Sequence, residues 1–200
     1  MRGEEEMKQI YLVTSNKGKV ESAKKYLSKN VELFCLDANL EEPNINNIDY
    51  IAEQKVKQAY QIVKKPCISL DAGFYIPNYP NNPNFPGAFP KRELIDKIGI
   101  DGLLENMKDV KDRECYFKEC LAYFDGNQIY KFYGKCEGVL TQQKLGENRE
   151  QKWSDLWYVF IPKNCDKTLA QMSDEERAER PDGHTNAFYE FAKWLGENYD

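Results

Sequence analysis

Histidine is almost missing, with His184 the single one in 200 residues. Ser/His/Asp and Cys/His catalysis would both have to use it, and a Cys/His zinc site has too few nitrogen donors. The six cysteines at 35, 67, 115, 120, 136 and 165 include no Cys-x-x-Cys pair. They therefore indicate no thiolate metal motif. Basic charge is short as well. Lys and Arg total 28 against 33 Asp and Glu, a net charge of -5, whereas a nucleic-acid-binding domain usually carries a basic surplus. No apolar run approaches the roughly 20 residues of a membrane span. The opening MRGEEEMKQIYLV has acidic residues where a secretory leader would be positive. A cytoplasmic chain with reduced thiols, no nucleic-acid partner and no membrane anchor is expected.

What is present suits a folded protein: 41% hydrophobic, 30% charged and 13% aromatic residues. A chain of this length buries roughly 70% of its unfolded surface without a disulfide or metal staple. One domain over residues 1–200 is expected.

Ile10 to Thr14 is a β-branched apolar run, followed by the polar turn Ser15-Asn16-Lys17-Gly18 and then by Val20, Ala23 and Leu27 at helical spacing. That order predicts strand, turn and a helix ending near Asn30. A second strand is predicted over 31–36, then an acidic, Asn-rich loop over 37–47. Ala52, Val56, Ala59 and Val63 mark an amphipathic helix over about 48–64. Pro66 ends it, and a buried strand starts at Cys67. A helix interrupted at Gly99 is expected over 93–107. Strands over 114–124 and 129–136 flank the hairpin signal Asp125-Gly126-Asn127. Another strand is predicted over 157–161, a capped helix after Ser173 and a final helix bearing Phe188, Phe191 and Leu195. The pattern is α/β with a mixed sheet.

Five features could carry chemistry, each with a plainer alternative. Thr14 to Lys19 lies between strand and helix, where free backbone N–H groups and the dipole attract phosphate; it could equally be a solvated, capped turn. Asp71 is the one charged residue between Pro66 and Pro90 and follows an apolar strand, which places it at the ligand-binding edge of an α/β sheet; it could also be a turn aspartate. One of Glu41 and Glu42 could pair with Asp71 to hold Mg²⁺, or the two could simply face water. Lys55, beside the apolar stripe of its helix, could reach a phosphate or snorkel to solvent. Trp153, Trp157 and Tyr158 could wall a base pocket or belong to the core.

Taken together, these segments resemble the inosine triphosphate pyrophosphatase family. Thr14-x-Asn16-x-x-Lys19 followed by Glu21, Glu42-Pro43, Ala52 with Lys55, and Asp71-Ala72-Gly73 match its motifs in order. Phe85-Pro86-Gly87 with Arg92, Gly134 to Gly138, and Lys167 to Ser173 continue the match, over about residues 9–195. The resemblance implies a long mixed β-sheet flanked by helices, two lobes around a nucleotide-binding cleft, and a homodimer. It implies Mg²⁺-dependent cleavage of a nucleoside triphosphate between the α and β phosphates, giving monophosphate and pyrophosphate.

Carried over, Asp71 and Lys19 would be catalytic, and Glu42 and Asp71 would hold metal. Thr14, Asn16, Lys19, Lys55 and Arg92 would bind the substrate, together with Trp153, Asp155, Trp157, His184 and Thr185. Two departures stand out. Leu70 replaces the first of two aspartates, and the base-reading motifs survive only as Trp153 to Tyr158 and Gly183-His184-Thr185, with no arginine. The resemblance thus implies a kept phosphate grip and a rewritten base pocket. Two other functions remain open from sequence: a catalytically weak nucleotide sensor, and a phosphohydrolase or transferase for another phosphorylated metabolite.

Overall fold

A computed structural model describes residues 7–147 and 154–198. In chain order the elements are β1 (Gln9–Val13), α1 (Lys17–Leu27), β2 (Glu32–Leu36), α2 (Ile48–Val63), β3 (Cys67–Ile76) and β4 (Phe85–Gly87). A π-helical turn over Pro90–Ile95 precedes α3 (Gly99–Asn106), β5 (Glu114–Phe124) and β6 (Ile129–Leu140). A 3-10 turn over Asp155–Tyr158, then β7 (Phe160–Pro162), α4 (Asp174–Glu179) and α5 (Ala187–Asn198) complete the described chain. The fold is a mixed seven-stranded sheet flanked by helices. Its order is β2-β1-β3-β5-β6-β7, with β4 beside β3. β1 runs parallel to both neighbours, while β4 and β7 pair antiparallel with β3 and β6.

The chain divides into two compact units. The first comprises the described residues of Met1–Asp71, Glu119–Gly134 and Asn186–Asp200. Strand alternation sorts its side chains onto two faces. Ile68 and Leu70 point into a core with Leu121 and Tyr123, covered by Ala23 and Leu27 of α1 and Phe188 and Phe191 of α5. Cys67 and Ser69 point the other way, where their side chains donate to the Val56 and Ala52 carbonyls of α2. The helix is stopped by Lys64 in a left-handed conformation, followed by Pro66.

The second unit holds Ala72–Lys118 and the described residues of Lys135–Thr185. Its core centres on Phe74, Phe117 and Phe160, with ring centroids 4.6 Å apart for the first pair and 4.9 Å for Phe117 and Phe160. Gly138 of β6 lies against β7 so closely that a Cβ there would sit 2.2 Å from the Ile161 carbonyl oxygen. Gly138→Ala is therefore expected to cost about 2 kcal/mol through forced separation of the strands. Denaturant unfolding with an unchanged slope would measure it, and a loss within error of zero would contradict that packing.

Four expectations are corrected. Asp71 is not at the end of a strand but fifth in a ten-residue one. Ala72-Gly73 fails to break the strand because Phe74 and Ile76 stay buried and β4 pairs with them. Trp157 and Tyr158 lie in a 3-10 turn rather than a strand, because the Ser154 hydroxyl accepts the Leu156 N–H and winds the chain first. The predicted helix over 93–107 starts earlier and divides into the π turn and α3. The last hairpin strand runs four residues beyond the expected 136, to Leu140. Among the described residues no helix is long and apolar enough to cross a membrane.

Candidate active site

The Leu12–Ile68 pair is the last in the β1–β3 register, and β1 ends one residue later. The turn after β1 therefore comes level with Ser69, Leu70 and Asp71. It is held by its own side chains. Thr14 Oγ1 accepts the Asn16 N–H at 3.1 Å, and Asn16 Oδ1 accepts the Lys19 N–H at 3.1 Å, capping α1. The turn and the start of the helix border a pocket lined by Thr14, Ser15, Asn16, Lys19, Asn39, Lys55 and Ser69, among others.

Two ammonium groups converge on one carboxylate here. Lys19 Nζ donates to the Leu70 carbonyl at 2.6 Å and lies 3.8 Å from Asp71 Oδ1. From α2, where Ala52 and Ala59 are fully buried, Lys55 Nζ donates to Asp71 Oδ1 at 3.0 Å and to Glu42 Oε1 at 2.5 Å. The lysine thus does not snorkel; its side chain is 13% exposed. Of the two loop glutamates, Glu42 joins the cluster, whereas Glu41 offers its backbone to Gln58. Among the described residues, the buried Asp71 Oδ2 has no hydrogen-bond partner.

Burial pushes the Asp71 carboxyl above the ordinary carboxylate range, although Lys19 and Lys55 pull against it. Burial also depresses Lys19, with Asp71 opposing. For Lys55 burial again acts downward, but Asp71 and Glu42 outweigh it and hold its pKa above that of a free lysine. The group is close to charge balance, with two ammonium groups facing two carboxylates.

The remaining sequence candidates lie in the second unit, except Trp153, which falls outside the described residues. Arg92 Nε binds Glu93 Oε1 at 2.8 Å, and its guanidinium stacks 3.8 Å from the Phe89 ring centroid. Asp155 opens the 3-10 turn, and Trp157 within it lies under the Arg177 guanidinium, 5.0 Å from the ring centroid. Thr185 exchanges backbone N–H···O bonds with Lys135 of β6. His184 Nδ1 meets Asp182 Oδ1 at 2.6 Å, and Arg180 Nε meets Asp182 Oδ2 at 2.6 Å.

Against the upward push of burial, Arg180 and His184 hold the Asp182 carboxyl below its ordinary value. Such a depressed acid contributes stability above its unfolded value and loses it as pH falls through the folded one. Below about pH 4 the melting temperature of wild type should therefore fall toward that of Asp182→Asn. Two curves separated by a constant amount down to pH 2 would refute this.

Two of the cysteines are held as thiols. Burial pushes Cys67 up to about 12, and burial, opposed by Arg180, pushes Cys136 up to about 12, so neither supplies a thiolate near neutrality. Sequence reasoning missed Asn39, Ser69, the Leu70 carbonyl and Asp182. A backbone acceptor has no sequence signature. Asp182 reads as an ordinary Asp-Gly turn until its burial is seen.

Comparison with known proteins follows the same lines. The dITP/XTP pyrophosphatase of Thermococcus kodakarensis is 32% identical, over 94% of this chain and 98% of its own length. That of Saccharolobus solfataricus is 30% identical, over 95% and 94%. Among solved structures, a HAM1 protein from Coxiella burnetii superposes with a TM-score of 0.77 at 20% identity, covering 96% of this chain and 100% of that one. The Staphylococcus aureus Ham1 protein gives 0.74 at 21% identity, with 94% and 98% coverage. These last two bear on the fold alone. The Ham1 family profile matches residues 10–194, from β1 to within α5 and across the whole lysine–carboxylate pocket. The chain belongs to the Ham1 family.

Proposed function

We propose that the protein is a nucleoside triphosphate pyrophosphohydrolase that cleaves between the α and β phosphates and releases pyrophosphate. The observation that carries this reading is the convergence of Lys19 and Lys55 on Asp71 beside the Asn16-capped start of α1. A polyphosphate needs several fixed positive groups along its chain, and catalysis of its transfer is mostly positioning and charge stabilisation. The names of the relatives agree with it.

The roles follow from the contacts. Thr14 and Asn16 hold the turn so that its N–H groups meet phosphate oxygens. Lys19 and Lys55 supply compact positive charge, and both are fixed by acceptors before the substrate arrives. Asp71 Oδ2, unpartnered and raised in pKa by burial, can orient a water and take its proton.

The residues also fit a divalent cation. Asp71 and Glu42 are hard oxygen donors bridged by one lysine, and Mg²⁺ commonly uses one or two carboxylates plus phosphate oxygens and water. Among the described residues no group of three or more His, Cys, Asp or Glu gathers to hold a metal ion, so an ion here would rest on these two carboxylates together with substrate oxygens and water. When bound, the ion would neutralise phosphate charge that two lysines balanced by two carboxylates do not cover.

A weaker, sensor-like role has one observation in its favour. Leu70 is buried in the apolar core, so the strand offers the site a single carboxylate. The readings separate in one assay. With Mg²⁺ and a panel of common and modified ribo- and deoxynucleoside triphosphates, the hydrolase releases pyrophosphate selectively. A sensor binds nucleotide and releases nothing, and a different phosphohydrolase releases orthophosphate.

A further inference from the structure

Within the first unit, the loop after β2 is tied to α2 by a side chain that the roles above leave unused. Gln58 Oε1 accepts the Glu41 N–H at 2.7 Å, and Gln58 Nε2 donates to the Glu41 carbonyl at 2.8 Å. One carboxamide thus pairs with both backbone polar groups of one residue, as a neighbouring strand would. Two bonds fix the orientation of Glu41 as well as its place, whereas a single bond would leave it free to swing.

The clamp sits where it governs the pocket. Lys55 lies three residues before Gln58, on the same side of α2, and its Nζ meets Glu42 Oε1 at 2.5 Å. Glu42 follows the clamped residue directly, and Pro43 on its other side narrows its backbone choices. Asn39 and Leu40, just before the clamp, line the pocket. Among the described residues, the Gln58 pair and the Glu42–Lys55 bond are the only hydrogen bonds from residues 38–43 to the rest of the unit. The Glu42 side chain is 43% exposed, so screening leaves its ion pair a weak tether by itself.

We propose that Gln58 is a positioning residue: it holds the 38–43 loop closed, so that Glu42 and the pocket wall stand ready before a triphosphate chain and its cation arrive. The proposal rests on the reading of the site given above. Without the clamp the loop samples open arrangements, and part of the binding energy goes into closing it. With only about a tenth of the molecules holding Glu42 at Lys55, the apparent dissociation constant rises about tenfold. Bound substrate still meets the same groups and reacts at the same rate.

Gln58→Met keeps the length and helix-forming character of the side chain and removes both bonds. The bis-methylene analogue of inorganic triphosphate, with Mg²⁺, is a probe that hydrolysis cannot consume and that carries no base. Its calorimetric dissociation constant should rise about tenfold in the variant, and KM for nucleoside triphosphate should rise with it while kcat stays within about twofold. In wild type, amide exchange referred to free-peptide rates should be about tenfold slower at Glu41 than at neighbouring Leu40, and the difference should vanish in the variant.

A purely structural Gln58 would lower the melting temperature and leave the dissociation constant and KM unchanged, and that result overturns the proposal. A loss confined to kcat overturns it too. So does a wild-type Glu41 N–H that exchanges as freely as that of Leu40, which needs no variant to fold, or a wild type that does not bind the probe. Pyrophosphate release assayed on the same samples keeps the two readings apart. Probe binding that weakens in Gln58→Met, without turnover of any nucleotide, upholds the clamp and removes the reaction, whereas turnover with an unchanged dissociation constant does the reverse.

Discussion

Asp71→Asn should lower pyrophosphate release by about 10³-fold, within the range expected when a general base is removed. Asparagine keeps the shape and can still accept from Lys55, but its amide cannot take a proton from water. It also removes one of the two carboxylates offered to a cation. The fold should tolerate the change. Asp71 is 6% exposed and burial penalises its charge, so neutralising it relieves a cost that partly offsets the lost pairing with Lys55 and Lys19. Melting temperatures within a few degrees of each other, with turnover nearly abolished, are the expected pair of results. Turnover within tenfold of wild type would remove Asp71 from the chemistry.

Lys19→Met should separate stability from function even more sharply. The Lys19 side chain is 19% exposed, and burial depresses its pKa, so the folded chain keeps that charge at a cost. Methionine fills similar volume without the desolvation. The variant should melt at or above the wild-type temperature while kcat/KM for the triphosphate falls by about 100-fold, the loss of a charged hydrogen bond to phosphate with its positioning. A second effect follows from charge. Without Lys19, Asp71 loses one of the two cations that pull its pKa down, so the acidic limb of kcat/KM moves to higher pH. A strongly destabilised variant with unchanged kcat/KM would mean that Lys19 is a structural ion and nothing more.

The first of these sites was legible in sequence because each part is local. A β-branched run, an Asn able to cap, and a lysine one turn on fix the direction of Lys19. The four- and three-residue steps of Ala52, Val56, Ala59 and Val63 put Lys55 at the edge of a buried stripe. The meeting of those parts was not legible. It depends on the parallel β1–β3 register, on Lys19 reaching a main-chain carbonyl, and on Lys55 tying Glu42 to Asp71 across a loop. The strand through Asp71 proved longer than its sequence suggests, because pairing with β4 overrides Ala72-Gly73. Around Trp157 a single hydroxyl cap overrode strand propensity. The Arg180–Asp182–His184 arrangement was invisible because burial of Asp182, not its position in sequence, gives the histidine its orientation.

The measurement that bears most directly on the account is a ³¹P NMR time course of nucleoside triphosphate with Mg²⁺, run in parallel on wild type and on Asp71→Asn. Wild type should convert the triphosphate to monophosphate and pyrophosphate in equal amounts, with no diphosphate or orthophosphate intermediate, while the variant leaves the substrate intact. Accumulation of diphosphate and orthophosphate, or equal turnover by the two proteins, would contradict it.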